Sequence, residues 1–78
     1  MWEVHYSLEA GNYHADNGAL VTDLFFALEA LTNSEGTPTV GNFQTVRGVV
    51  YWEIQGHTVV YRRLEARKIA RILVIKPV

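Results

Sequence analysis

The pattern of apolar and polar positions in residues 49–77 predicts three β-strands. Two runs rich in Val, Ile, Tyr and Trp flank Gln55 and Gly56, and a third run follows a polar break at residues 65–67. Short β-rich runs separated by short breaks are typical of an antiparallel meander. Residues 64–73 (LEARKIARIL) also contain strong helix formers, so a helix is the alternative for that part. We favour a strand because residues 72–75 are β-rich and Pro77 ends the run.

The positions of the two turns predict the register of this meander. A two-residue turn at Gln55 and Gly56 and a second turn centred on Ala66 predict these opposite pairs: Trp52 with Val59, Glu53 with Thr58, Tyr61 with Arg71, and Val59 with Leu73. Because side chains alternate along a strand, the register also predicts two faces. The core face carries Val50, Trp52, Ile54, Val59, Tyr61, Leu73 and Ile75, with the stem of Arg71 passing Tyr61. The mixed face carries Val49, Tyr51, Glu53, Thr58, Val60, Arg62, Ala70, Ile72, Val74 and Lys76. A slip of one residue would exchange the faces, so the assignment depends on the register.

The first half of the chain predicts a strand followed by helical structure. Residues 2–6 alternate apolar and polar, which indicates a strand with Trp2, Val4 and Tyr6 pointing inward. Ser7 is a plausible N-cap for a short helical turn over residues 8–14. One long helix then opens at residues 16–18 with Asp16 as the favoured cap, because leucines recur at helical spacing up to residue 31. A loop follows, and its residues 43 and 46 are expected to approach the sheet again.

Composition and charge limit the class of protein. The 78 residues make one α+β domain over residues 1–78, and the chain contains no cysteine, so no disulfide or thiolate metal site is available. The N-terminus lacks a signal-peptide pattern and no apolar run reaches membrane-spanning length, so we expect a cytoplasmic protein and no membrane partner. Residues 1–46 hold six acidic and no basic side chains, whereas residues 47–78 carry a net charge of +5. The overall charge of −1 lacks the basic excess typical of nucleic-acid binding.

Few residues carry an obvious chemical signal. His5, His14 and His57 fall on different predicted elements and have no metal-ligand spacing, so we expect no metal and no cofactor. A basic cluster of Arg62, Arg63, Arg67 and Lys68 surrounds one predicted turn. It would suit RNA phosphate or an acidic partner, but a solvated hairpin tip is the favoured interpretation.

The predicted order is strand, short helical turn, long helix, loop and three-stranded meander. This order resembles the RelE/ParE superfamily of toxins from toxin–antitoxin pairs. Residues 46–48 (VRG) are similar to the family's Leu-(Arg/Lys)-Gly, and Trp52 matches a strand position where the family often carries an aromatic residue. Residues 56–61 (GHTVVY) resemble the family's Gly-x-Tyr-Arg-Val-x-Tyr run, and residues 72–75 resemble its closing strand.

The resemblance implies a function, but this sequence also departs from the family's motif. A family enzyme would be a metal-independent, ribosome-dependent mRNA endoribonuclease that uses the arginine of that run on the open sheet face. Here that arginine falls on Thr58, and the basic residues and the Tyr or His beyond the last strand have no counterpart. Arg47 keeps a family basic position, and Arg62 is the candidate replacement for the lost charge. The catalytic residues are therefore unknown, and we expect weak or absent RNase activity.

These observations leave two hypotheses. In the first, the chain is a RelE/ParE-like toxin that acts by macromolecular binding; in the second, it is a noncatalytic, self-associating interaction module. The apolar residues of the mixed face and of the long helix predict a homodimer or an antitoxin-like partner, with RNA or the ribosome as a further partner. The candidate binding face consists of Arg47, Tyr51, Glu53, Thr58, Arg62 and Lys76.

Overall fold

The computed structural model describes all residues 1–78 as a small α+β domain in which two helices pack on one face of a five-stranded mixed sheet. The helices are α1 (Leu8–Asn17) and α2 (Thr22–Glu29). The strands are β1 (Glu3–Tyr6), β2 (Asn42–Val46), β3 (Val49–Ile54), β4 (His57–Leu64) and β5 (Ile69–Pro77). They lie in the order β1-β5-β4-β3-β2; β1 runs parallel to β5 and the other neighbours are antiparallel. No helix has both the length and the apolar character that crossing a membrane requires.

The predicted meander is confirmed in part. Strands β3, β4 and β5 form it, and the predicted pairs of Trp52 with Val59 and Glu53 with Thr58 are present. The alternative of a helix over residues 64–73 is wrong, since strands cover both ends of that segment. The prediction missed β2, where a loop was expected. This strand forms because a two-residue turn, with positive φ at Arg47 (52°) and Gly48 (81°), lets residues 42–46 pair antiparallel with β3.

The register of β5 corrects the predicted faces. Tyr61 pairs with Ile72 instead of Arg71, because the turn before β5 has four residues, 65–68, instead of being centred on Ala66. This one-residue difference exchanges the faces of residues 69–72, so Ala70 and Ile72 are buried in the core and Arg71 is exposed on the other side.

An irregularity in β5 then restores the predicted faces further along the strand. Val60 pairs with Val74 while Tyr61 pairs with Ile72, which leaves Leu73 unopposed as a β-bulge. The backbone N–H of Ser7 donates to the Ile72 carbonyl at 2.8 Å and its hydroxyl donates to the Leu73 carbonyl at 2.7 Å. The predicted pair of Val59 with Leu73 is therefore wrong; Val59 faces Ile75. The predicted core position of Leu73 is also wrong, and this residue is only half-buried.

The N-terminal strand is confirmed, whereas the long helix is corrected. Ser7 caps α1 as predicted, since its Oγ accepts from the N–H of Ala10 at 3.1 Å, but α1 continues past residue 14 to Asn17. Asp16 therefore lies inside α1 and does not cap a helix. Beyond Asn17 the chain forms a 3₁₀ turn (Gly18–Val21), α2, and a second 3₁₀ turn (Ala30–Asn33). The 3₁₀ turn between α1 and α2 changes which apolar side chains face the sheet, so Val21 is buried and Leu20 is 87% exposed.

The core lies between the helices and one face of the sheet. Its largest side chains, Trp52 and Tyr61, meet edge to face with ring centroids 6.2 Å apart. Each also ties the segment between the helices and β2 to the sheet, because Trp52 Nε1 donates to the Val40 carbonyl at 2.8 Å and the Tyr61 hydroxyl donates to the Gly36 carbonyl at 2.6 Å. The opposite face of the sheet carries no helix.

Candidate binding face

The uncovered face of the sheet, which we call the open face, contains most of the predicted site residues. Alternation along the strands directs these side chains of β3, β4 and β5 away from the helices: Val49, Tyr51, Glu53, Thr58, Val60, Arg62, Arg71, Val74 and Lys76. All of them are exposed or half-buried. The predicted mixed face is therefore confirmed except for Ala70 and Ile72, and it lacked Arg71 as well as Leu64 and Ile69, which lie on the same side.

The middle of the open face is apolar. Tyr51, Val60 and Val74 stand side by side across three neighbouring strands. Tyr51 is 49% exposed, so its ring is available to a partner. Towards one end of the strands the next row is polar and contains Glu53, Thr58 and Lys76. A shallow cavity of about 330 Å³ lies beside this end and is lined by Asn42, Phe43, Gln44, Tyr51, Glu53 and Thr58.

The other end of the open face is cationic. Arg62 and Arg71 lie directly opposite each other on β4 and β5, and Arg47 lies in the β2–β3 turn at the same end. The two ion pairs of the chain join His5 to Glu3 and Arg63 to Glu65, so none of these three arginines forms an ion pair. Glu3 and His5 of β1 lie beside Arg71 on the same face. Like charges directly opposite each other in a sheet are unfavourable. An anionic group between Arg62 and Arg71 would remove this repulsion.

Glu53 and Arg62, a carboxylate and a guanidinium of the open face, lie apart from each other on the sheet. Glu53 is opposite Thr58, and Arg62 is four residues further along β4. Four residues of strand span about 13 Å, so the two side chains would have to extend towards each other along the strand before both could act on one phosphate group. The residues at hand on this face can therefore bind a partner at several points, but they do not converge on one reacting centre.

The basic cluster that the sequence predicts does not form one site. Arg63 points to the helix side of the sheet, where its Nε and Nη2 donate to the Glu35 carbonyl at 3.1 and 2.8 Å. Its Nη1 contacts Glu65 Oε2 at 2.7 Å, and the guanidinium carbon lies 4.6 Å from the centre of the Trp2 ring. Arg63 thus has a structural role, because its hydrogen bonds connect β4 to the turn at Glu35 that follows the helices. Arg67 and Lys68 lie in the exposed turn between β4 and β5.

The three histidines have partners within the fold. A proton on Nδ1 of His57 is donated to the Gln55 carbonyl at 2.8 Å, which leaves Nε2 to accept from the Tyr13 hydroxyl at 2.8 Å. His14 stacks on Phe25 with ring centroids 4.1 Å apart. No group of three or more histidine and carboxylate side chains is arranged to hold a metal ion.

Two tyrosines have raised pKa values and cannot act as bases at neutral pH. Burial, and then the hydrogen bond and negative charge of Glu29, raise the pKa of Tyr6 above its usual value. Burial also raises the pKa of Tyr61, and the positive charge of Arg63 opposes part of that shift. Both hydroxyls therefore stay protonated and serve as hydrogen-bond donors.

The open face thus contains five of the six predicted site residues, and Arg47 lies at its border. Sequence reasoning missed Arg71 because the length of the second turn was misjudged by one residue. In comparisons with known proteins, no family model, curated protein or solved structure matches this chain.

Proposed function

We propose that the protein binds a macromolecular partner across the open face and acts without catalytic turnover, as a toxin of the RelE/ParE-like class. The observation that carries this proposal is that helices cover the sheet on one side only. The uncovered side presents Tyr51, Val60 and Val74 between charged ends. An apolar strip rimmed by polar residues is typical of a surface that contacts another protein.

The charges on the open face also favour an acidic, amphipathic segment of an antitoxin-like protein as a second partner, one that would cover the surface through which the toxin contacts its target. Carboxylates of such a segment would neutralise Arg62 and Arg71, which have no acidic partner in the chain itself. Its apolar side chains would cover the strip around Tyr51. Arginine and tyrosine are also enriched among the residues that contribute most to binding at protein interfaces.

The second candidate function is cleavage of mRNA on the ribosome. Arg47, Arg62 and Arg71 favour it, since they form no ion pair and would attract phosphate. The separation of Glu53 from Arg62 opposes it, because a general base and the cation that holds the phosphate must act at one centre. RNA or the ribosome therefore remains a binding partner in this proposal, and RNase activity is weak or absent.

The proposal is tested by inducing the chain alone in a bacterial host and measuring growth and mRNA integrity. We expect slower growth with intact mRNA, and we expect Arg62→Glu to restore growth. Arg67→Glu is the matched control, because it makes the same charge change in the β4–β5 turn, outside the strands that form the open face. Thermal melts of both purified variants establish that they fold.

Three results would contradict the proposal. Cleavage of mRNA that Arg62→Ala abolishes would make the chain an active RNase. Unchanged growth at a high level of the folded protein would remove the toxin class and leave the noncatalytic interaction module. Restoration of growth by both charge variants alike would show that overall charge, and not the open face, is responsible.

A further inference from the structure

Strand β2 is an edge strand without the usual protection against pairing. All five of its residues, Asn42–Val46, are exposed, and they pair regularly with β3. The strand (NFQTV) contains no charged residue and no proline. Edge strands of natural proteins usually carry charges, prolines or bulges, because free N–H and C=O groups invite another strand. The opposite edge, β1, is short and carries the Glu3–His5 pair.

The direction of the free backbone groups follows from the β2–β3 register. Val46 and Val49 flank a two-residue turn, so Val46, Gln44 and Asn42 direct their backbone groups towards β3. Phe43 and Thr45 then direct theirs away from the sheet. The edge therefore offers two N–H donors and two C=O acceptors at alternate positions, which is the pattern that an antiparallel strand satisfies.

We propose that β2 pairs with β2 of a second copy of this chain, antiparallel and around a two-fold axis at Gln44, so that two five-stranded sheets become one. In this register Phe43 lies opposite Thr45 of the second copy, and these residues exchange the four free hydrogen bonds. Gln44 lies opposite itself at a position without backbone hydrogen bonds, where its side-chain amide can both donate and accept. The inference stands independently of the proposed function, because the open face stays uncovered in the dimer.

The composition of β2 favours a second copy over a different partner. Two-fold pairing brings a side chain near the axis close to the same side chain of the second copy, so a charged residue there would repel its counterpart. The neutral β2 avoids this, and it offers no charge that a charged peptide would recognise. Phe43 and Val46, each 45% exposed, would gain contacts. The two Phe43 rings would be diagonal neighbours on the helix side, at a spacing that aromatic side chains bridge.

A single-cysteine experiment tests the register directly, because the chain has no cysteine of its own. Facing residues at a position without backbone hydrogen bonds have Cα atoms about 4.5 Å apart, within the range that a disulfide spans. We expect Gln44→Cys to form a disulfide-linked dimer rapidly under mild oxidation. Leu20→Cys is the control, since this position is 87% exposed but lies on the helical side. Equal rates of cross-linking for the two variants would overturn the proposed register.

A second experiment tests the strand pairing by sedimentation at micromolar concentrations. Thr45→Pro removes an outward N–H and places the proline ring at the free edge, while all β2–β3 hydrogen bonds remain. We expect the wild type and the control Thr45→Val to sediment as dimers and Thr45→Pro to sediment as a folded monomer, with folding checked by circular dichroism. A monomeric wild type, or a Thr45→Pro variant that stays dimeric, would refute the proposal.

Discussion

Arg62 and Arg63 are neighbours in the sequence but perform different tasks, and replacing each by alanine separates the two. The side chain of Arg62 stands on the open face beside Arg71, without an acidic partner. The side chain of Arg63 lies on the helix side, between Trp2 and the turn at Glu35. We therefore expect Arg63→Ala to lower the free energy of unfolding and Arg62→Ala to leave it nearly unchanged.

The expected loss for Arg63→Ala is about 2–3 kcal/mol. The forked hydrogen bonds to the Glu35 carbonyl involve a charged donor and contribute about 1.5–3 kcal/mol in such settings. The contact with the Trp2 ring adds about 0.5–1 kcal/mol. The ion pair with Glu65 adds little, because that carboxylate side chain is 77% exposed. Contributions of this kind are only partly additive, so the total lies below their sum.

Urea denaturation of the wild type, Arg62→Ala, Arg63→Ala and Arg63→Lys measures these differences. Lysine keeps the charge but cannot form the forked contact, so Arg63→Lys should lose most of what alanine loses. For Arg62→Ala we expect a change within about 0.5 kcal/mol, as for other surface positions. Equal losses for Arg62→Ala and Arg63→Ala, or a loss below about 0.5 kcal/mol for Arg63→Ala, would refute the reasoning.

The remaining predictions concern the core, two glycines and alkaline pH. Trp52 is 1% exposed, so Trp52→Ala should cost about 3–5 kcal/mol in denaturant melts, and a loss below about 1 kcal/mol would contradict its core position. Gly41→Ala should destabilise the fold by more than about 1 kcal/mol, because the φ of Gly41 is +75° and an added Cβ would lie 2.5 Å from the backbone oxygen of Glu53. Gly11→Ala in α1 should instead stabilise the fold by about 0.5–1 kcal/mol, because the space around Gly11 is open. Because the folded pKa of Tyr6 and Tyr61 is raised above the ordinary 10.0, stability should be intact below pH 10 and fall above it as the unfolded chain releases these protons. Unfolding experiments on both sides of that pH, with a Tyr6→Phe variant that should reduce the loss, check the last prediction.

Local patterns predicted most of the elements correctly. Alternation identified β1, β3 and β4. The two-residue turn at Gln55 and Gly56 set the register of β3 and β4, because such a turn leaves no freedom in their pairing. Ser7 was recognised as a cap because its hydroxyl acts within three residues. The same hairpin places Tyr51, Glu53 and Thr58 on the face of the sheet that alternation predicts for them.

The errors occurred where distant parts of the chain decide the structure. The bulge at Leu73 is held by Ser7, a residue 66 positions away in the sequence, so no local pattern indicates it. The four-residue turn before β5 shifted Arg71 to the open face. The break after α1 was missed as well, because Leu20 and Val21 are both apolar and only packing on the sheet decides which of them is buried.

The α+β class, the first hairpin and the amphipathic faces that depend on it can be read from local pattern, since they follow from alternation and turn chemistry over a few residues. The roles of the two neighbouring arginines cannot be read in this way, because they depend on packing between distant segments. Arg62 and Arg63 are identical in local propensity, and their roles differ because alternation in β4 directs one to the uncovered side and the other to Trp2 and Glu35. The tertiary structure also decided that β2 is a strand at all, because all of its residues are exposed and only pairing with β3 orders them.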